Sequence, residues 1–303
     1  MKRVDARLVA RRVLGSSYPA SKRYAQWQMR ARADRRIVVF TMGKTGSTAL
    51  SRAIATATGE RVFQVFRLNP PGVAGAEQRF RTRVKTRTFP FPGSMHLWES
   101  QFLVAHPPSA RTRWDVVTSV REPVGQAVSA FFHANARDGQ ATGHDDVASL
   151  RDQFLAEGWL DRPMQWFERE FLPSLDINVF AEPFNPAAGT AIIERDAVRL
   201  LLVRQENFAE ASGALSDFLR TRQHVDIAPR NTGRERNDGP AYGSFLERVM
   251  LPAAAVDKTY ASPLSRHFYS DAELAHLRSR WTGVTRASST HGVRAHAPDV
   301  PHA

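Results

Sequence analysis

The stretch Ile37-Val38-Val39-Phe40-Thr41-Met42-Gly43-Lys44-Thr45-Gly46-Ser47-Thr48-Ala49-Leu50 decides how this chain is read. Ile37 to Thr41 is a short apolar run of β-branched and aromatic type, the pattern of a buried strand. Leu50, Ala53, Ile54 and Ala57 follow at helical spacing, and Gly59 supplies a stop. A strand that turns through glycines into a helix presents successive backbone N–H groups at the helix start, where the helix dipole adds positive potential. Lys44 contributes a cation, and Thr45, Ser47 and Thr48 contribute hydroxyl donors. Phosphate or sulfate is the ligand chemistry this loop favours.

Working outward, Val62 to Leu68 reads as a second strand. Residues 70–95, rich in Pro, Gly, Arg and Thr, read as a surface excursion. Val116 to Val120 is a further strand. Pro123 then suits the first position of a helix that Val124, Ala127, Val128 and Phe131 continue. Leu150 to Phe171 has helical segments, Ile177 to Phe180 and Leu200 to Val203 read as strands, and Phe208 to Leu219 as a helix. Ser270 to Glu273 is a capping box opening a helix with Leu274, Leu277 and Trp281 on its apolar stripe. Alternating strands and helices imply an α/β domain with a central, mainly parallel sheet flanked by helices.

Composition narrows the partners. The chain has 303 residues and no cysteine, which excludes disulfides, thiolate metal sites and cysteine nucleophiles and suits a reducing, cytoplasmic setting. Its net charge of +12 suggests an anionic partner. Residues 1–36 hold eleven basic and two acidic side chains, a balance of +9 that leaves +3 for the other 267. The excess therefore belongs to an arm, which suits a solvated extension, an address, or contact with an anionic membrane surface. The expected organisation is a basic arm over 1–36, an α/β domain over 37–281 and a loose tail over 282–303, with no nucleic-acid partner.

Two motifs carry a family resemblance. Lys44-Thr45-Gly46-Ser47-Thr48 resembles the 5′-phosphosulfate loop of the sulfotransferase superfamily. Arg121 at a strand end and Ser129 eight positions later resemble that superfamily's 3′-phosphate element. Met164 to Phe171 is similar to the Asn-Lys-Trp-Tyr-Glu signature of a bacterial capsular polysaccharide synthesis family of sulfotransferase-like proteins, with the first two positions changed and Phe167 in place of Tyr. Leu201 to Phe208 and His267 to Trp281 also resemble segments of these proteins, although core packing alone accounts for Trp166 and Trp281.

The resemblance implies a P-loop-like three-layer fold. It implies a transferase that moves a sulfuryl group from 3′-phosphoadenosine 5′-phosphosulfate (PAPS) to a glycan or other small hydroxylated or amine acceptor, with no metal required. Lys44, Thr45, Gly46, Ser47, Thr48 and Ala49 would hold the 5′ end of the donor, with Lys44 also serving catalysis. Arg121 and Ser129 would hold the 3′-phosphate. His96 is the expected base, with Glu99 and His106 as rivals. Two other classes stay open: a nucleotide-dependent kinase or triphosphatase, and a non-catalytic polyanion-binding protein. Val38 stands where the triphosphatase loop needs glycine, and Asp115 precedes its strand rather than ending it.

Overall fold

The computed structural model describes residues 22, 25–27, 29–30, 34–84, 94–138, 146–227 and 239–283. Most of the expected basic arm, the stretch 85–93 and nearly all of the expected tail lie outside the described residues. Of the arm, Ala25 and Met29 are buried in the core, and Arg35 and Arg36 already belong to the first strand.

Five strands form one sheet in the order β2-β1-β3-β5-β4. They are β1 (Arg35–Phe40), β2 (Val62–Val65), β3 (Arg113–Val120), β4 (Thr190–Arg195) and β5 (Val198–Arg204). Four run parallel, and β4 pairs antiparallel with β5 through a two-residue turn at Asp196–Ala197. Apolar side chains alternate along the strands, so each face builds a separate core. Ile37, Val39, Val117, Leu201 and Val203 pack under α1 (Ser47–Thr58) on one face. Val38, Phe40, Val116 and Val120 pack on the other face under α2 (Pro70–Val84), α3 (Ser94–Ala105) and α4 (Pro123–Asp138).

The chain continues through α5 (Val147–Ala156), α6 (Arg162–Trp166), a π-helical turn (Phe167–Phe171) and α7 (Leu172–Leu175). After β5 come a 3₁₀ turn (Gln205–Asn207), α8 (Ser212–Leu219), α9 (Gly239–Arg248), α10 (Ala253–Tyr260), α11 (Pro263–Phe268) and α12 (Asp271–Thr282). Among the described residues, no helix is long and apolar enough to cross a membrane.

Three sequence expectations are corrected. Residues 70–84 form α2 rather than a surface excursion. Pro70 and Pro71 occupy the first turn, where proline is tolerated, and Val73 and Phe80 bury one face. Residues 177–180 are not a strand, because the Asn178 side chain accepts from Phe180 N–H and starts a 3₁₀ turn at Val179–Ala181. The regular helix after β5 begins at Ser212, since Gln205–Asn207 first makes its 3₁₀ turn. The Ser270 capping box forms as read, and Glu273 also binds Arg204 at 2.6 Å.

The topology sets the site. β1 lies between β2 and β3, while its following helix α1 and the helix α4 that follows β3 cover opposite faces. This arrangement makes the C-terminal ends of β1 and β3 a topological switch point, the kind of crevice in which open α/β sheets bind ligands.

The outer edge of β2 is covered by α3. Glu99, 5% exposed, accepts from Gln64 N–H at 3.0 Å and from Arg61 at 3.2 Å. Burial pushes its carboxyl up from 4.5 to about 7, against the pull of Gln64 N–H and Arg61. Because the folded carboxyl titrates above the unfolded one, its contribution to stability is full below pH 4.5 and is lost as pH rises through about 7. Glu99→Gln should therefore gain on wild type across that range, by up to about 3 kcal/mol in urea unfolding. A stability difference that stays constant with pH would contradict this.

Candidate functional site

The loop Thr41–Gly46 joins β1 to α1 at the crevice. Lys44 and Gly46 both have left-handed backbones, with φ of 71° and 81°. Three consecutive carbonyls of this loop are taken by side chains from β3, its exit and α4. Gln126 Nε2 donates to Gly43 O at 2.7 Å, Arg121 Nη1 to Lys44 O at 3.2 Å and Ser119 Oγ to Thr45 O at 2.8 Å. In a planar trans peptide the N–H points opposite the C=O. Tying these carbonyls toward β3 and α4 therefore turns the N–H groups of Lys44, Thr45 and Gly46 the other way. Thr45 Oγ1 locks the turn by donating to Met42 O at 3.0 Å. Leu50 N–H to Gly46 O, 3.1 Å, closes the first turn of α1. The N–H groups of Ser47, Thr48 and Ala49 thus belong to the helix start, which lacks intrahelical acceptors. Loop and helix start together make a concave array of donors suited to an anion.

Lysine at a left-handed position costs roughly 1–2 kcal/mol relative to glycine. That strain sits beside the donor array, and such backbone strain clusters at ligand clamps and switch regions.

Arg121 lies between β3 and α4, and Ser129 lies within α4. A β-carbon at Gly125 would lie 3.7 Å from Arg121 Nη2. Ser129 is one helical turn beyond Gly125 on the same face. The Arg121 guanidinium thus lies between the Lys44 carbonyl and the first turn of α4. The N-terminus of α4 gives no help to an anion there. Glu122 accepts from Val124 N–H at 2.8 Å and Gly125 N–H at 2.6 Å, and its carbonyl accepts from Gln126 N–H. Glu122 is buried and also accepts from the Tyr260 hydroxyl at 2.8 Å. Burial raises its pKa, opposed by the Tyr260 and backbone hydrogen bonds.

The three candidate bases separate clearly. His96 Nδ1 is 2.8 Å from Gln64 O, so Nδ1 carries the proton and Nε2 is left as the basic atom. Burial lowers its pKa and so favours the neutral ring, while the hydrogen bond to the Gln64 carbonyl pulls the other way. The Gln64 side chain reaches Ser47 Oγ at 3.0 Å, so His96 and the loop share one support. His106 lies ten residues on, just past the end of α3 and about 15 Å further by helical rise. Its carbonyl accepts from Arg36 at the N-terminal end of β1. That is the edge of the sheet opposite the loop. Glu99 is engaged by Gln64 N–H and Arg61. Asp115 sits inside β3 with Arg35 at 3.0 Å and Arg199 at 3.2 Å, away from the strand's C-terminal end.

Sequence reasoning did not find Gln64, Ser119, Gly125, Gln126 or Glu122. Each acts through a contact distant in sequence or through backbone, and no local pattern marks such a partner. No protein-family model matches the chain, and no curated protein matches it.

Two glycines of the loop should behave differently. A β-carbon at Gly46 would lie 2.5 Å from the Phe208 ring, at a left-handed φ, whereas one at Gly43 would meet nothing within 4 Å. Gly46→Ala should lose about 2 kcal/mol or more in denaturant unfolding, and Gly43→Ala less than about 0.5 kcal/mol. Lys44→Gly should be more stable than Lys44→Ala by about 1 kcal/mol, since only the alanine keeps the strain. Equal stability of those two variants would show that the left-handed turn is not held in solution.

Proposed function

We propose that the chain is a sulfotransferase with a P-loop-like donor loop, using PAPS as donor and an acceptor hydroxyl or amine. The observation that carries this reading is the set of three tied carbonyls, which turns the loop's N–H groups into a donor array with the Arg121 guanidinium held against it. An array with one cationic arm set a short distance away suits a nucleotide with separate 5′ and 3′ phosphates. The donor set fits such a ligand: backbone N–H groups, hydroxyls, one ammonium and one guanidinium.

When bound, PAPS supplies a sulfuryl group whose S–O bond to the 5′-phosphate breaks as an acceptor atom attacks sulfur. The N–H groups from Thr45 to Ala49, with the Ser47 and Thr48 hydroxyls, hold the 5′-phosphate. Lys44 neutralises charge that builds on the leaving phosphate. Arg121 and Ser129 hold the 3′-phosphate, the feature that separates this donor from ATP. His96 Nε2 takes the acceptor's proton. The kinase or triphosphatase reading is weaker because Asp115 is paired within the strand and Glu122 is consumed by capping α4.

Adenosine 3′,5′-bisphosphate should raise the melting temperature, and ATP with Mg²⁺ should raise it less. A shift with ATP–Mg²⁺ alone would sink the proposal. His96→Gln should lower kcat by about 10²–10⁴-fold while keeping bisphosphate affinity. Protonation removes the base, so the wild-type rate should fall on the acid side of a pKa below the ordinary imidazole value of about 6.5. An acid limb that persists unchanged in His96→Gln would remove His96 from this role.

A further inference from the structure

A cleft of about 270 Å³ opens at Pro123, the first residue of α4. Its other walls are the stretch from Leu160 to Glu168 and the α10–α11 junction around Lys258 and Leu264. Several contacts place it at the same end of the sheet as the loop. Pro123 follows Arg121 by two residues. Trp166, beside the lining residue Gln165, packs edge-on against Phe40, the last residue of β1, with centroids 5.1 Å apart. Its indole N–H donates to Phe66 O at 3.0 Å, and the Phe66 ring meets the His96 ring edge-on at 5.0 Å. One aromatic line thus joins the cleft wall, the candidate base and the strand that leads into the loop.

We infer that this cleft is the acceptor site, and that it takes an uncharged or amine-bearing polyol, such as a sugar ring, in preference to an anionic one. The assignment rests on the sulfotransferase reading and adds the acceptor's place and charge class. Pro123, Leu160, Pro163, Met164 and Leu264 supply apolar surface for C–H faces, while Asp161, Gln165 and Glu168 supply polar groups for hydroxyls. An apolar lining with a few polar groups, at a volume near about 300 Å³, is the make-up of a small-ligand site. Charge decides the class. The Lys258 ammonium is 3.0 Å from Asp161, so that pair compensates itself. Glu168 is exposed and has no ion pair among the described residues. It enters the π-helical turn Phe167–Phe171, a form of helix frequent at functional sites. The remaining carboxylate repels an acceptor carboxylate or sulfate and attracts an ammonium.

The test is saturation-transfer NMR on the full chain, with methyl glucoside, glucosamine and glucuronate as probes and bisphosphate binding followed in parallel. Methyl glucoside and glucosamine should give transfer and glucuronate little. Met164→Trp, which fills the cleft, should abolish transfer, and Glu168→Lys, at an exposed position, should reverse the order of glucosamine and glucuronate. Both variants should still bind the bisphosphate, which shows that they fold. Glucuronate preferred by wild type, or transfer unchanged in both variants, would overturn the inference. Absence of all sugar transfer beside intact bisphosphate binding would overturn it too, leaving the donor reading standing. Sugar transfer without any bisphosphate binding would instead overturn the donor reading and with it the acceptor role of the cleft.

Discussion

The site depends on one constraint: the carbonyls of Gly43, Lys44 and Thr45 are all held from the side of β3 and α4. A short loop with free carbonyls has many ways to turn. With three carbonyls fixed, the peptide planes are fixed, and their N–H groups have one direction left. The left-handed backbone at Lys44 and Gly46 follows from this, and so does the need for a residue without a β-carbon at Gly46, where Phe208 closes in. Arg121 serves both ends of the arrangement, binding the loop through Nη1 while Nη2 lies over Gly125. The loop and the guanidinium are therefore mechanically one unit.

A second layer holds that unit in place. Glu122 caps α4 with its carboxyl and reaches Tyr260 in α10. Its backbone N–H donates to Glu206, which also accepts from the Tyr269 hydroxyl at 3.2 Å. The C-terminal helices thus buttress the strand exit through buried polar contacts. On the other flank, Gln64 supports His96 through its carbonyl and the Ser47 hydroxyl through its amide. Buried polar networks of this kind fix geometry when each member has a partner.

Legibility in the sequence followed the range of the forces involved. The β1–α1 unit was readable because apolar runs, helical spacing and glycine punctuation are local signals. The antiparallel edge strand β4 was missed: Thr190–Arg195 buries few side chains, and its pairing with β5 is what makes it a strand. Helix α2 was misread because its prolines lie in the first turn, where they favour a helix instead of breaking it. Lys44, Arg121 and Ser129 are legible from motif and spacing, and His96 only from its place upstream of the strand that ends at Arg121. Their supports, Ser119, Gln126 and Gln64, were invisible because hydrogen bonds between residues 17 to 83 positions apart leave no pattern in the chain. The use of the α4 N-terminus by Glu122 was likewise hidden, since an Arg-Glu-Pro tripeptide looks like an exposed strand exit.

The central claim is that the crevice between β1 and β3 grips a nucleotide at two separate phosphates. Calorimetric titration of adenosine 5′-monophosphate against adenosine 3′,5′-bisphosphate, in wild type and in Arg121→Ala, tests it most directly. Losing the 3′-phosphate should weaken binding to wild type by roughly tenfold or more, the scale of one charge-assisted hydrogen bond, and should matter little in Arg121→Ala. Equal affinity of the two nucleotides for wild type would contradict the account.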